Sequence, residues 1–260
     1  MKRITLLLAV LFVLGLTSDT LAQSKTREQM IDEIAAKRKE LDKLEQEFLD
    51  VPDSDRVEFA QLLAQPHTGL IRLLPRDKFD TEGYKKLPRA ITLRGGGAYY
   101  SFARLTHEYG FGSDISLDQD RLLVGFAGFD FGMILQVSDQ SLDDLSPENP
   151  WVRPLMQYLP PKVESAIRRE QQRFAQGTTI DDIKLKSSVP VDIGATYLLR
   201  SISYDTSDVL VGFKVVRRDS DGSLILAWKL LNKFSVPKAL RSEPEVISLL
   251  KRHTKLQNKG

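Results

Sequence analysis

The chain has 260 residues, of which 42% are hydrophobic and 28% charged, a balance typical of a globular protein. Its formal net charge of +2 argues against nucleic acid as a partner. It contains no cysteine, which excludes disulfides, thiolate metal sites and cysteine nucleophiles. The length allows one large domain or two small ones.

The first 22 residues have the pattern of a secretory signal peptide. Lys2 and Arg3 precede an apolar run from Ile4 to Leu16, and small residues lead to a cleavage site after Ala22. The run is shorter than the ~20 residues that a membrane-spanning helix needs. We therefore expect an exported protein, periplasmic or extracellular, with no stable membrane span. The alternative is an uncleaved anchor.

Residues 23–65 are predicted to be helical. Between residues 26 and 51, apolar residues recur in a heptad pattern that Lys37 interrupts, at Met30, Ile34, Leu41, Leu44, Phe48 and Val51. Pro52 ends this helix, and a second one is predicted to run to about Ala64. The heptad stripe either docks on its own domain or forms a short coiled coil, which would make the protein a homodimer.

Period-two hydrophobicity predicts two antiparallel β-units, in residues 66–140 and 181–240. The first contains Leu122-Leu123-Val124-Gly125-Phe126, and the second contains nearly the same segment, Val209-Leu210-Val211-Gly212-Phe213. A Gly-Ala-x-Tyr segment precedes each, ending at Tyr100 and at Tyr197. This repetition favours an internal duplication. In the second unit, Asp219-Ser220-Asp221-Gly222 is typical of a hairpin turn.

Residues 141–180 are predicted to be a proline-rich linker followed by a helix. Five prolines lie between Pro147 and Pro161, and Gly177 is well placed to end the helix. Residues 241–260 are expected to form a short C-terminal helix and a basic tail. The predicted fold is therefore α+β, with two small antiparallel β-units related by duplication, joined by the linker and helix, and with helices at both ends.

Segment 107–120 is the most promising place for chemistry. Loops of ~12–15 residues without secondary structure are uncommon and often functional. His107 beside Glu108, with Asp114 further along, offers a histidine–carboxylate pair that could orient a general base. The alternative is a solvated loop packed by its aromatic side chains.

The same segment contains three aspartates, Asp114, Asp118 and Asp120. Carboxylates suit calcium, but this spacing does not match an EF-hand loop. We predict no metal site and no cofactor.

Aromatic side chains crowd the first β-unit, where most must belong to the core. Tyr99 and Phe129 fall off the main apolar face and are expected to be exposed, and Tyr109 lies in segment 107–120. These three are the candidates for a ligand-binding surface. The adjacent Gly95-Gly96-Gly97 lacks the context of a phosphate-binding loop and is predicted to be a bend.

Two classes of function stay open. The first is an exported non-catalytic binding or assembly protein of the cell envelope or extracellular space, with an unknown protein or glycan partner. The second is a secreted hydrolase or metal-assisted enzyme that uses segment 107–120. The chain contains no recognisable catalytic motif, which favours the first class. A hydrogen bond between His107 and a carboxylate in a cleft would favour the second.

Overall fold

The computed structural model describes residues 25–79 and 95–240, apart from 108, 111, 127, 138 and 139. These residues form six helices: α1 (Arg27–Leu49), α2 (Asp53–Glu58), α3 (Ala60–Leu63), α4 (Arg76–Phe79), α5 (Arg153–Gln157) and α6 (Glu164–Gln176). They also form eleven strands: β1 (Thr68–Leu73), β2 (Tyr99–Tyr100), β3 (Ile115–Asp118), β4 (Arg121–Leu123), β5 (Asp130–Val137), β6 (Thr178–Ile180), β7 (Ile183–Leu185), β8 (Ser188–Pro190), β9 (Thr196–Ser203), β10 (Ser207–Arg218) and β11 (Leu224–Lys233). The predicted signal peptide and C-terminal segment lie outside the described residues.

The fold mixes helices with sheets, and the strand pairs in the described part of the chain are antiparallel. The larger sheet has five strands in the order β1-β11-β10-β9-β5. A second sheet has four strands in the order β2-β3-β4-β8, and β6 pairs with β7 alone. The chain divides after Leu44 into two compact units, and all the sheets belong to the second.

Strands β9, β10 and β11 form a meander within the region predicted as the second β-unit. The turn between β9 and β10 places Asp205 at a φ of 62°, which an aspartate tolerates better than most residues. Gly222 supplies a φ of 91° in the next turn, where the Asp219 backbone N–H donates to the Ser223 carbonyl oxygen at 2.8 Å. The predicted hairpin at residues 219–222 is confirmed.

Two apolar cores lie on opposite faces of the five-stranded sheet, because side chains alternate along each strand. One core joins the two larger sheets and includes Leu117, Leu122, Tyr197, Leu199, Val211, Phe213 and Trp228. The other joins the five-stranded sheet to α5 and α6 and includes Phe131, Met133, Leu155, Ile167, Phe174, Leu198 and Leu210. Burial of each large apolar side chain stabilises the fold by roughly 1.5–3 kcal/mol.

The two Val-Gly-Phe segments do not occupy equivalent places, so the duplication is not confirmed. Leu122 and Leu123 belong to β4, which pairs with β3 and β8 in the four-stranded sheet. The second segment, residues 209–213, lies in β10 at the centre of the five-stranded sheet. Gly125 takes a φ of 83° and turns the first segment out of its strand, whereas Gly212 continues within β10.

Several other predicted features differ from the structure. Segment 107–120 contains β3, which pairs with β2 and β4, so it is not a loop without secondary structure. The proline-rich linker is not confirmed as an extended connector, because residues 153–157 form α5 with Pro154 near its start. The two β-units share a sheet, since β5 pairs with β9 and β1 pairs with β11.

Helix α1 confirms the helix predicted from the heptad pattern. Leu49 at its end is buried, but Met30, Ile34 and Leu44 are about half exposed, at 45%, 50% and 55%. Gly177 ends α6 with a φ of 89°, as predicted. None of the helices in the described part of the chain is long and apolar enough to cross a membrane.

Candidate functional site

His107 is half-buried and held by a backbone carbonyl. Its Nε2 lies 2.7 Å from the carbonyl oxygen of Arg72, and because a carbonyl only accepts, Nε2 carries the proton. The ring packs against Tyr100 with centroids 4.8 Å apart. Burial lowers the pKa of His107, and the bond to Arg72 opposes the change. Within the described residues His107 makes no hydrogen bond to a carboxylate, and Glu108 lies outside those residues.

Asp114 is fully buried and holds the turn that follows β2. Its Oδ2 accepts hydrogen bonds from the backbone N–H groups of Phe102 at 2.7 Å and Ala103 at 3.4 Å, and from the Ser101 hydroxyl at 3.3 Å. Its Oδ1 has no hydrogen bond of normal geometry among the described residues. Burial raises the pKa of Asp114 to about 6, while the nearby Ser201 hydroxyl and the donors of the turn oppose the rise.

A second buried carboxylate, Asp130, lies at the start of β5. Its Oδ1 accepts a hydrogen bond from the Ser203 hydroxyl at 2.7 Å, and its Oδ2 has no partner within the described residues. Burial raises the pKa of Asp130 to about 6; the bond from Ser203 opposes the rise, and the charge on Asp114 adds to it. Asp130 also lines a small pocket of about 250 Å³ beside Gly125 and Gln171.

Asp114 and Asp130 are therefore proton-binding groups in the interior of the fold. Asp114 is 0% exposed and does not present a carboxylate to a substrate in solution, whereas Asp130 is 6% exposed and borders the small pocket. Asp118 pairs with Arg76 at 3.5 Å and Asp120 pairs with Arg218 at 3.0 Å. In the part of the chain that the structure describes, no group of three or more acidic, histidine or cysteine side chains could hold a metal ion.

The three aromatic candidates do not form one exposed surface. Tyr99 is only 4% exposed, so its predicted exposure is wrong. The bend at residues 95–97 folds back over its ring, and a Cβ added to Gly95 would lie 2.6 Å from Tyr99 Cδ2. Tyr99 also packs against Tyr109, with ring centroids 4.6 Å apart. Phe129 is half-buried beneath the guanidinium group of Arg168, 5.5 Å from its ring centroid.

A groove that the sequence did not reveal opens beside β9 and β10. Its volume is about 920 Å³, within the ~300–1,000 Å³ range of small-molecule sites. We call it the Arg200 groove, and it is lined by Met156, Tyr158, Leu159, Pro160, Lys162, Arg200, Asp208, Phe234, Ser235, Val236, Pro237, Lys238 and Leu240. Most of these side chains are apolar.

Two segments form the walls of the Arg200 groove: residues 156–162, which begin in the last residues of α5, and the irregular residues 234–240. They are held together by a hydrogen bond from the Leu240 backbone N–H to the Lys162 carbonyl oxygen at 2.8 Å. The second wall is also tied to the sheet, because the Phe234 backbone N–H donates to the Asp208 carbonyl oxygen at 2.9 Å. Pro160 and Pro237 have no backbone N–H, which limits the polar groups in these walls.

Arg200 forms the floor of the groove, and most of its N–H groups donate hydrogen bonds within the protein. Its Nε and Nη2 donate to the two carboxylate oxygens of Asp208 at 2.9 and 2.8 Å. Its Nη1 donates to the carbonyl oxygens of Leu155 and Tyr158, at the end of α5. Four of its five N–H groups are therefore used within the fold. Burial raises the pKa of Asp208, and the guanidinium opposes the rise.

The ring of Phe234 covers the Arg200 guanidinium, whose central carbon lies 3.7 Å from the ring centroid. This contact turns an apolar surface, rather than a charged one, toward the groove. Leu159 stands at the edge with 86% of its surface exposed. The groove therefore combines an apolar interior with an exposed apolar edge.

Two lysines lie at the edge of the groove. Lys162 and Lys238 are exposed there. Lys238 Nζ lies 3.0 Å from a carboxylate oxygen of Asp205, but both side chains are more than half exposed, so this ion pair is weak. Among the described residues that line the groove, the one carboxylate is that of Asp208, which forms an ion pair with Arg200. The electrostatic environment therefore favours an anionic group at the edge.

The sequence contained one signal of this groove. Arg200 interrupts a run of apolar residues, Leu198, Leu199 and Ile202, in a predicted strand. A charged residue in a buried strand must find a partner inside the protein. The identity of that partner, and the walls from residues 156–162 and 234–240, depend on long-range packing. The chain matches no protein-family model, no curated protein and no solved structure.

Proposed function

We propose that the protein is an exported, non-catalytic binding protein that holds an amphipathic anion in the Arg200 groove. The ligand class is a molecule with one long apolar chain and a single anionic head, such as a fatty acid. The observation that carries this proposal is the groove itself, with its apolar walls, its sealed arginine and its two edge lysines. Export to the periplasm or the extracellular space is supported by the signal-peptide pattern of residues 1–22.

The groove offers separate places for the two ends of such a ligand. Removing each methylene of the chain from water contributes about 0.8 kcal/mol. Met156, Leu159 and Val236 provide the apolar contacts. We do not expect the head group to bind Arg200, because that guanidinium already donates hydrogen bonds to Asp208 and to two carbonyl oxygens. Lys162 or Lys238 at the edge would pair with the head while it stays in contact with water.

The non-catalytic part of the proposal rests on how the predicted catalytic residues are used. His107 donates to a backbone carbonyl, and Asp114 accepts hydrogen bonds from the turn after β2. Asp114 is fully buried, and Nε2 of His107 is already bonded to the Arg72 carbonyl oxygen, so we do not expect either to act on a substrate. The buried ring of Tyr99 likewise argues against a glycan that stacks on this tyrosine.

The assembly part of the proposal concerns α1. We propose that the protein associates with a second copy of itself through the stripe of Met30, Ile34, Leu41 and Leu44. The exposed fractions of Met30, Ile34 and Leu44, at 45%, 50% and 55%, support this association. The sequence left the protein partner unknown. At this surface, the partner would be a second copy of the same chain.

Titration of the mature protein with palmitate, followed by calorimetry, tests the ligand proposal. We expect saturable binding of one molecule per chain. Reversing both edge charges with Lys162→Glu and Lys238→Glu should weaken palmitate binding by about tenfold or more, which corresponds to about 1.4 kcal/mol. The uncharged alcohol of the same chain length should bind this variant as well as it binds the unchanged protein, because it has no head charge.

Lys184→Glu provides the matched control, since Lys184 is an exposed lysine on β7 and does not line the groove. It should leave the dissociation constant for palmitate unchanged. Absence of palmitate binding to the unchanged protein would refute the proposal. Equal losses for palmitate and the alcohol would show that the two lysines act on the fold or the apolar walls and do not bind the head group.

A further inference from the structure

Helix α1 exposes an apolar stripe. We expect such a stripe to be buried against a partner, because its exposure to water is unfavourable. It is 23 residues long, and almost all its side chains are exposed. Isolated helices are only marginally stable in water, and most helices gain their stability from burying an apolar face. At the end of the stripe, Phe48 contacts Phe79 with ring centroids 5.9 Å apart, and Leu49 is buried. The part before residue 45 has no comparable cover among its own residues.

The spacing of the stripe assigns a heptad register to α1. Ile34, Leu41 and Phe48 take the a positions, and Met30, Lys37 and Leu44 take the d positions. The g positions, which flank the stripe on one side, are then Glu33, Glu40 and Glu47. The e positions on the other side include Arg38 and Glu45. These flanking charges set the orientation of two helices that pair through a and d.

In an antiparallel pair, g positions face g positions of the partner. Because all three g residues are glutamates, every such contact would place two negative charges together. The e positions would meet each other as well, bringing Arg38 next to its own counterpart in the central register. In a parallel pair, each g residue faces the e residue five positions further along the partner. Glu33 then meets Arg38 twice across the two-fold axis, and only Glu40 meets a like charge, at Glu45.

We propose that α1 helices of two copies form a parallel, in-register coiled coil. This inference rests on the proposed self-association and adds its orientation and register. In this arrangement the two Lys37 side chains meet at a d position. A single polar core position lowers the stability of a coiled coil but specifies its register and number of strands. Lys37 is thus a device that keeps two short helices aligned.

The absence of cysteine from the chain makes a crosslinking test direct. Leu44→Cys places one thiol at a d position, where parallel in-register helices bring the two copies of the same residue together. We expect mild oxidation of the full mature chain to convert most of this variant into a disulfide-linked dimer. Gln46→Cys, two residues away at an outward f position, is the matched control and should remain largely monomeric on a non-reducing gel.

Sedimentation of the same proteins distinguishes the two parts of the proposal, which are the self-association and the parallel orientation of the helices. A dimer that crosslinks through Cys at 44 but not at 46 supports both. A dimer that crosslinks only when Ile34→Cys and Leu44→Cys chains are mixed is antiparallel, and it overturns the orientation while leaving self-association intact. A monomer at every concentration overturns both. Lys37→Leu should lower the dimer dissociation constant; an increase would contradict the assigned register.

Discussion

Val124-Gly125-Phe126 and Val211-Gly212-Phe213 have the same three residues in two different structures. The second triplet lies inside β10, with Phe213 fully buried and stacked on Tyr197 at a centroid distance of 5.2 Å. The first follows the short strand β4, and its Phe126 is half-buried against Tyr99. The same letters therefore form a strand interior in one place and a turn in the other.

The difference shows how neighbouring turns determine whether an apolar segment lies inside a strand or forms a turn. The second triplet lies between two tight turns, at residues 204–206 and 219–222, which align β9, β10 and β11 by local contacts. The first lies in a region with several glycines of positive φ, including Gly95, Gly110 and Gly128. Its strands β3 and β4 are completed by β8, which is more than sixty residues away along the chain. Local pattern was sufficient for the meander, and long-range pairing was needed for the other sheet.

The largest expected difference between the two triplets comes from their phenylalanines. Phe213→Ala removes a fully buried ring from the core between the two larger sheets, so we expect a loss of about 3–5 kcal/mol in the free energy of unfolding. Phe126→Ala should cost clearly less, because its ring is half-buried and lies outside any strand. Urea denaturation of both variants measures the two losses. Equal losses would show that the two segments are buried alike.

The sequence predicted the parts of the fold that depend on local contacts. Helix α1, the end of α6 at Gly177 and the turn at residues 219–222 follow from heptad spacing, a helix-ending glycine and an Asp-Gly pair. It could not predict that β5 would join β9, because that pairing connects residues about seventy positions apart. The duplication inferred from the repeated triplet shows the risk of treating a short apolar similarity as an architectural signal.

The two triplets also differ in their polar surroundings, and pH tests this difference. Near the first triplet, burial raises the pKa values of Asp114 and Asp130 to about 6. A carboxyl group whose pKa is higher in the folded state stabilises the fold below its unfolded pKa and loses that contribution as pH rises. We therefore expect these two carboxyl groups to lower the free energy of unfolding between about pH 4 and pH 7, by up to about 3 kcal/mol each, while His107, whose pKa is lowered, contributes in the opposite direction.

Asp130→Asn should flatten part of this pH dependence, because asparagine does not titrate. Asp53→Asn is the matched control, since the Asp53 side chain is fully exposed at the start of α2. Chemical denaturation at several pH values measures the slopes. A slope that Asp130→Asn leaves unchanged, or that Asp53→Asn changes equally, would contradict the assignment.

The candidate site was predictable only in part, for the same physical reason. A buried arginine in β9 was visible in the sequence as an isolated charge among apolar residues. Its partners came from β10 and from the end of α5, which are 8 and about 45 residues away. His107 and Asp114, the catalytic candidates of the sequence, both form hydrogen bonds with backbone groups of the fold. Residue type indicated where polar groups would need partners, and packing decided which partners they found.

The smallest effects are expected from the two glycines, and they test the comparison most closely. Gly125 has a φ of 83°, and an added Cβ would lie 2.9 Å from the backbone Cα of Phe131. Gly125→Ala combines backbone strain with a clash that a side-chain rotation cannot relieve, so we expect a loss of about 1–3 kcal/mol. At Gly212 the added Cβ would meet Leu145 Cδ1 at 2.6 Å, and that methyl group can move. Replacing a strand glycine also recovers roughly 0.5–1 kcal/mol of backbone entropy, so Gly212→Ala should cost less.

Gly194→Ala isolates the conformational cost, because Gly194 has the same φ of 83° and no atom within 4 Å of an added Cβ. The difference between the Gly125 and Gly194 variants in thermal unfolding then measures the contact with Phe131. If Gly212→Ala proves the most destabilising of the three, Leu145 cannot move to make room for the added methyl group. The strand interior would then be more sensitive to substitution of its glycine than the turn at Gly125, contrary to our expectation.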